Sequence, residues 1–221
     1  VLTLPREGAP HDGALAEGTH PSASAIRALV EEGNREQALS WMAPAMAEAY
    51  RQEEAAGRAP VLGQRCERAI LARLRTMTEA EYAALDEGRE GLYRRVYEAG
   101  HTAATLEQVL ETAKTKRYAY ARLRRMVLWA YLGLTPGDCP PAPPYLRPLA
   151  ANGTGKRLLA QMRSCARVPV LTRAGAVRGM NARAQALFAL ESRAADLYSL
   201  AYPDLRAAQG GRAWRDGPVL L

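Results

Sequence analysis

Apolar positions recur along most of this chain at the three- and four-residue spacing of helices, and the recurrences break at Gly, Pro, Ser, Thr and Asn. Ile26, Leu29 and Val30 form the first stripe, with Ser22 or Ser24 ahead of it as a cap and Gly33 as a stop, and they predict a helix. A second helix is expected over residues 35–55, closed by Gly57 and broken or restarted at Pro44. Leu62, Cys66, Ile70, Leu71 and Leu74 predict a helix over 61–76, followed by shorter ones at 79–85 and 90–99. Thr105 is placed to cap a helix over 106–113. The most regular stripe, Ala119, Leu123, Met126, Val127, Ala130 and Leu134, predicts a helix over 116–132. Residues 136–148 carry six prolines and read as a linker or extended crossing. Helices are then expected at 156–163 and 181–198, a short strand at 168–172 and an edge strand at 218–221. Residues 1–4 read as a strand end, followed by a Gly- and Pro-rich loop over 5–21.

Composition supports a mainly α fold. Hydrophobic residues make up 48% and charged residues 24% of the 221, a globular profile, while Phe occurs once, so the core must come from Ala, Leu, Val and Met. No apolar run reaches the roughly 18–20 residues of a membrane span, and the first residues do not form a signal peptide, which points to the cytoplasm. Cys66, Cys139 and Cys165 are an odd count without metal-ligand spacing. A start at Val1, with a strand end that has nothing before it to pair with, reads as part of a longer protein.

Charge is divided unevenly. The net charge is +7, but residues 1–113 hold 12 Lys/Arg against 18 Asp/Glu (−6), whereas 114–221 hold 18 against 5 (+13). The second half is therefore expected to face a polyanion. Its densest stretch is 114–125, with six cations and no acid: Lys114, Lys116, Arg117, Arg122, Arg124 and Arg125, interleaved with Tyr118 and Tyr120. Lys116 and Arg117 fall in the first turn of the expected helix, where the macrodipole disfavours cations, so a bound anion explains them better than packing does. The tyrosines can stack on bases or hydrogen-bond to phosphate. A helix with a merely basic solvent face is the alternative. Leu123, Met126 and Val127 read as core and Arg125 as solvated. No helix-turn-helix spacing or zinc-finger ligand set favours DNA.

A second constellation is Ser22-Ala23-Ser24-Ala25-Ile26-Arg27. Hydroxyls and a guanidinium at a helix start suit a phosphate, although an ordinary N-cap has the same spelling. Just upstream lies a Gly-rich loop over 6–13 with Arg6, His11 and Asp12.

These two motifs together resemble the family of tRNA(Met) cytidine acetate ligases. The similarity extends in order and spacing through Glu90-Gly91-Leu92, Leu132-Gly133-Leu134, residues 144–149, Gly155-Lys156 and Asp196-Leu197-Tyr198. The resemblance implies ATP as substrate with Mg2+, activation of acetate as acetyl-adenylate, and acetylation of N4 of the wobble cytidine of elongator tRNA(Met). It implies Arg6, Ser22, Ser24 and Arg27 at the ATP site, and Lys114, Lys116, Arg117, Tyr118, Tyr120, Arg122 and Arg124 at the tRNA. No catalytic residue is expected within the chain, because the family's His-x-Gly-His segment is absent from it, and the loop before His11 is shorter, so no role is carried to that residue. On its own the chain is expected to be inactive, and neither a membrane nor DNA is an expected partner. By the same resemblance, residues 1–33 are the end of a nucleotidyltransferase-like α/β domain, 34–135 a helical tRNA-binding domain, 136–148 a linker and 149–221 a small α/β element. Two other readings stay open: a non-catalytic RNA-binding module, and an adenylyltransferase acting on a small acid.

Overall fold

The computed structural model describes residues 21–221. The expected strand end, Arg6 and His11 lie outside the described residues. The chain packs as two units: the described part of Val1–Leu62 with Tyr202–Ala207, and Gly63–Ala201 with Ala208–Leu221.

The first unit holds α1 (Ala23–Glu31), α2 (Arg35–Ser40) and α3 (Pro44–Ala55). Ser22, not Ser24, caps α1, its Oγ accepting from the Ala25 N–H at 3.1 Å. The helix stops because Gly33 takes φ +83°, which lets the Asn34 N–H reach back to the Leu29 carbonyl at 2.8 Å. The stretch over 35–55 is two helices, restarted at Pro44 as its sequence predicts. Pro44 sits at the first position of α3, where its missing N–H costs nothing, and it forces Ala43 into extended backbone. Leu29, Ala38, Leu39 and Ala47 are buried, and Arg35 grips the Glu54 carboxylate, with Nε 2.7 Å and Nη2 2.6 Å from Oε2.

In the second unit a 3-10 turn at Gly63–Cys66 leads into α4 (Glu67–Thr76), shortening the helix expected over 61–76. Then follow α5 (Glu79–Ala83), α6 (Leu92–Thr102), α7 (Leu106–Ala113) and α8 (Tyr120–Leu132). Thr78 and Glu81 form a capping box on α5, and the Thr78 backbone N–H holds the Glu81 carboxyl below the usual carboxylate range. Thr105 caps α7 as its sequence predicts, accepting from the Gln108 N–H at 3.1 Å. Leu74, Tyr82, Leu92, Val96, Val109, Leu123 and Met126 make a fully buried core. Its one large polar atom, the Tyr82 hydroxyl, donates to the Leu74 carbonyl at 2.9 Å, and burial pushes its pKa well above that of an ordinary tyrosine.

A second cluster of Tyr145, Leu171, Val177, Ala184 and Phe188 is built on α10 (Ala182–Ser199), with α11 (Arg212–Arg215) packed on it. Arg147 stacks over the Phe188 ring at 5.1 Å while its Nη1 pairs with Glu191 at 3.0 Å. The edge strand expected at 218–221 is present as β2 (Val219–Leu220), paired in parallel with β1 (Ala150–Ala151). The strand expected at 168–172 reduces to one bridge between Leu146 and Val170, because the Pro-rich segment offers a single partner there. Between β1 and Val170 runs α9 (Gly153–Cys165), capped by Asn152, which buries none of its residues.

Gly100, inside α6, tests the core. Glycine normally costs a helix about 1 kcal/mol relative to alanine. Here a Cβ would stand 2.8 Å from the Tyr82 hydroxyl and 3.3 Å from Leu74 Cβ. Gly100→Ala is expected to lower stability by about 1–3 kcal/mol rather than raise it. A urea midpoint that rises would show that the core yields.

Candidate functional site

The basic segment is not the start of a helix. Lys114 ends α7, Thr115 and Tyr118 close a turn as an antiparallel bridge, and Ala119 is extended, so α8 begins only at Tyr120. The Thr115 hydroxyl accepts from the Arg117 N–H at 3.2 Å and fixes that turn. This corrects the expectation of a helix over 116–132. Lys116 and Arg117 stand at the tip of a turn, and the dipole argument for a bound anion at those two positions no longer applies.

Tyr118 and Tyr120 separate completely. Tyr118 is buried and its hydroxyl donates to the Glu90 carbonyl at 2.7 Å, so its ring presents no face to a base. Tyr120 is 43% exposed, with Lys114 Nζ 5.3 Å and Arg124 Cζ 6.0 Å from its ring centre. Lys114 also donates to the Thr115 carbonyl at 2.7 Å.

The cations divide as well. Arg122, third in α8, donates from Nε to the Glu87 carbonyl at 3.2 Å, from Nη2 to the Arg89 carbonyl at 3.3 Å and from Nη1 to the Glu90 carboxylate at 3.3 Å. Its side chain is only 24% exposed. Arg125 donates to Glu87 at 2.6 Å, and Arg117 lies 3.4 Å from Glu90. Lys116 and Arg124 are exposed and have no carboxylate partner among the described residues. Glu87 and Glu90 thus partner three of the six cations, a role that sequence reading missed. The available signal was negative: a stretch of six cations without an acid must draw its counter-charges from elsewhere.

Glu90 is the one non-glycine residue with positive φ among the described residues, at +64°. Such backbone costs about 1–2 kcal/mol, and here it is held by Tyr118 at the carbonyl and by Arg122 at the carboxylate.

At the start of α1, the buried Ser22 hydroxyl is committed to its cap. Ser24 is half-buried, and Arg27 is exposed with no carboxylate partner among the described residues. Among the described residues no three His, Cys, Asp or Glu side chains gather as a metal site, and no helix is long and apolar enough to cross a membrane.

The family described as HIGH Nucleotidyl Transferase matches residues 1–213. The tRNA(Met) cytidine acetate ligase of Syntrophomonas wolfei is 28% identical over 99% of this chain and 55% of its own length. The ligase of the same name from Acetivibrio thermocellus is 26% identical over 100% of the chain and 55% of its own. Among solved structures, apo Thermotoga maritima TmcAL superposes with a TM-score of 0.91 at 23% identity, covering 97% of this chain and 54% of that one. The same protein bound with alpha-thio ATP superposes with a TM-score of 0.85 at 24% identity, covering 91% and 52%. This likeness establishes a shared, mainly helical fold. The chain spans about half the length of the curated relatives it matches.

The geometry separates cations that build the surface from those that only face solvent. Arg122→Ala is expected to destabilise the protein by about 1–3 kcal/mol, since it strands two carbonyls and a carboxylate. Lys116→Ala is expected to stay within about 0.5 kcal/mol of the parent. Equal urea midpoints for the two variants would refute the distinction.

Proposed function

Because the chain belongs to the HIGH nucleotidyl transferase family, we propose that it is part of an ATP-dependent, tRNA-modifying ligase. That enzyme activates acetate as acetyl-adenylate and acetylates N4 of the wobble cytidine of elongator tRNA(Met), in the cytoplasm. In this reading residues 1–33 are the end of the nucleotide-binding α/β domain, 34–135 the helical tRNA-binding domain and 149–221 the small terminal α/β element, joined by the Pro-rich linker over 136–148. The names of the relatives support it. The single observation that carries it is the surface at 114–125, where Lys114 and Arg124 flank the exposed Tyr120 ring and Lys116, in the same segment, is exposed with no carboxylate partner among the described residues. An aromatic face among cations suits a base with its phosphates, and stacking contributes about 1–3 kcal/mol per base.

On this reading Lys114, Lys116, Arg117, Tyr120 and Arg124 meet the tRNA directly, whereas Tyr118 and Arg122 hold the surface in shape. At the ATP side, Ser22 shapes the start of α1, and Ser24, Arg27 and the helix dipole meet a phosphate. Arg6 joins them by resemblance. ATP supplies the leaving group that lets a carboxylate become an acyl donor; these residues orient and neutralise its charge. Mg2+ enters only as the counter-ion of the triphosphate.

Two measurements test the halves separately. Binding of the chain to elongator tRNA(Met) over a salt series is expected to show a steep log–log slope. Changing Lys114, Lys116, Arg117 and Arg124 to Ala should flatten it by about 0.7–0.9 per lost contact. Identical slopes would reduce the segment to a solvated face. For the nucleotide half, Arg27→Ala is expected to weaken ATP binding by about 10- to 100-fold, as loss of a charge-assisted hydrogen bond does. Unchanged calorimetric affinity would remove Arg27 from the site.

A further inference from the structure

α9 is a 13-residue helix with no buried residue. A helix of that length is marginal in water without packing, so a face left open on it invites an occupant. Lys156, Leu159, Ala160 and Arg163 recur at spacings of three, four and seven, which puts them on one side of α9. That side lines a groove of about 450 Å³ whose other wall is Thr172, Arg173 and the 217–220 segment leading into β2. The volume lies within the range of small-ligand sites.

The lining has two chemistries. Leu159, Ala160, Pro218 and Leu220 give an apolar surface. Lys156, Arg163 and Arg173 give three cations, no carboxylate lines the groove, and none of the three has an ion-pair partner among the described residues. Arg147 and Arg212 of the same unit are paired, with Glu191 and Asp216, whereas Arg157, Arg167 and Arg183 also have no ion-pair partner among the described residues. What sets Lys156, Arg163 and Arg173 apart is that they line one groove. Three like charges around one apolar surface repel one another until an anion sits among them. A free phosphate would satisfy the cations and leave the apolar wall wet. A ligand with both phosphate and a flat face satisfies both.

We propose that this groove binds a nucleotide unit of single-stranded RNA, with its phosphates among Lys156, Arg163 and Arg173 and its base against Leu159, Ala160 and Leu220. The site is built on elements other than the 114–125 segment. The proposal rests on the reading of the chain as RNA-binding and adds a second point of contact to it.

The test uses the full 221-residue chain, with elongator tRNA(Met) and a fluorescent hexaribonucleotide as probes, each titrated over a salt series. One variant carries Lys156→Ala, Arg163→Ala and Arg173→Ala; a second carries Ala160→Glu, which puts a carboxylate in the groove. A third carries the Ala substitutions at Lys114, Lys116, Arg117 and Arg124. All changed positions in the groove are exposed, and circular dichroism checks that each variant keeps its helices. The triple groove variant is expected to flatten the hexamer slope by about 2, from roughly 0.7 per contact on a single strand. Ala160→Glu should abolish hexamer binding, and a variant that keeps Lys156 and carries Arg163→Lys and Arg173→Lys should keep the parent slope. Unaltered hexamer and tRNA binding in both groove variants, with loss in the 114–124 variant, overturns the groove and leaves the RNA reading standing. No binding of either probe to the parent chain overturns the RNA reading itself. Self-association that Ala160→Glu abolishes and the hexamer does not compete with assigns the groove to a second copy of the chain and overturns the proposal.

Discussion

The basic surface depends on how Arg122 is seated. A cation in the first turn of α8 meets the positive end of the helix dipole, and the first turn contains no acid to offset it. The offset comes from the 86–90 loop, which presents two carbonyls and the Glu90 carboxylate to one guanidinium. A planar fork of donors is suited to such a divergent set of acceptors, which an ammonium could not span. The same loop is pinned from the other side by Tyr118, whose buried hydroxyl holds the carbonyl of the left-handed Glu90. Arg122 and Tyr118 therefore fix where the turn at 115–118 and the start of α8 sit. Everything the segment offers to solvent is positioned through them.

Much of the helical plan was legible because its stripes are regular. Leu123, Met126, Val127 and Ala130, read from spacing, are all buried. The failures share a cause: local chemistry that periodicity does not register. The Thr115 hydroxyl stabilises a turn inside the run expected as helix, and a 3-10 turn at Gly63–Cys66 takes the start of the helix expected over 61–76. Strand length was the harder quantity. Val219–Leu220 pairs with Ala150–Ala151, far away in sequence, and only two residues of each are in register, so apolar runs at 168–172 and 218–221 could not reveal which would pair.

The candidate site was legible as a charge pattern and illegible as a division of roles. Tyr118 and Tyr120 lie two residues apart in the same basic run, yet one is sealed under the 86–90 loop and the other is open. Nothing in their spelling distinguishes them, since the difference lies in the turn between α7 and α8. The charge asymmetry is likewise real as a count and softer in space. Glu87 and Glu90 belong to the acidic half, but they lie against Arg117, Arg122 and Arg125 of the basic half. The local field is weaker than the run of cations implies, and its unpaired part is Lys116 and Arg124 with Lys114 behind Tyr120.

That pairing also grades the cations by how readily each could turn to a phosphate. Arg117 and Arg125 are 63% and 55% exposed and hold single carboxylates, contacts of a kind that contributes about 0–1 kcal/mol in water. Exchanging such a carboxylate for a phosphate oxygen replaces one charge-assisted bond by another at little cost, and it releases a condensed counter-ion as well. Arg122 cannot make that exchange without abandoning two carbonyls, each of which would need a new donor. A polyanion docking here would draw Arg117 and Arg125 outward and leave Arg122 in place. The acidic loop thus holds two arginines in reserve beside the unpaired cations, and it keeps an empty surface from repelling itself.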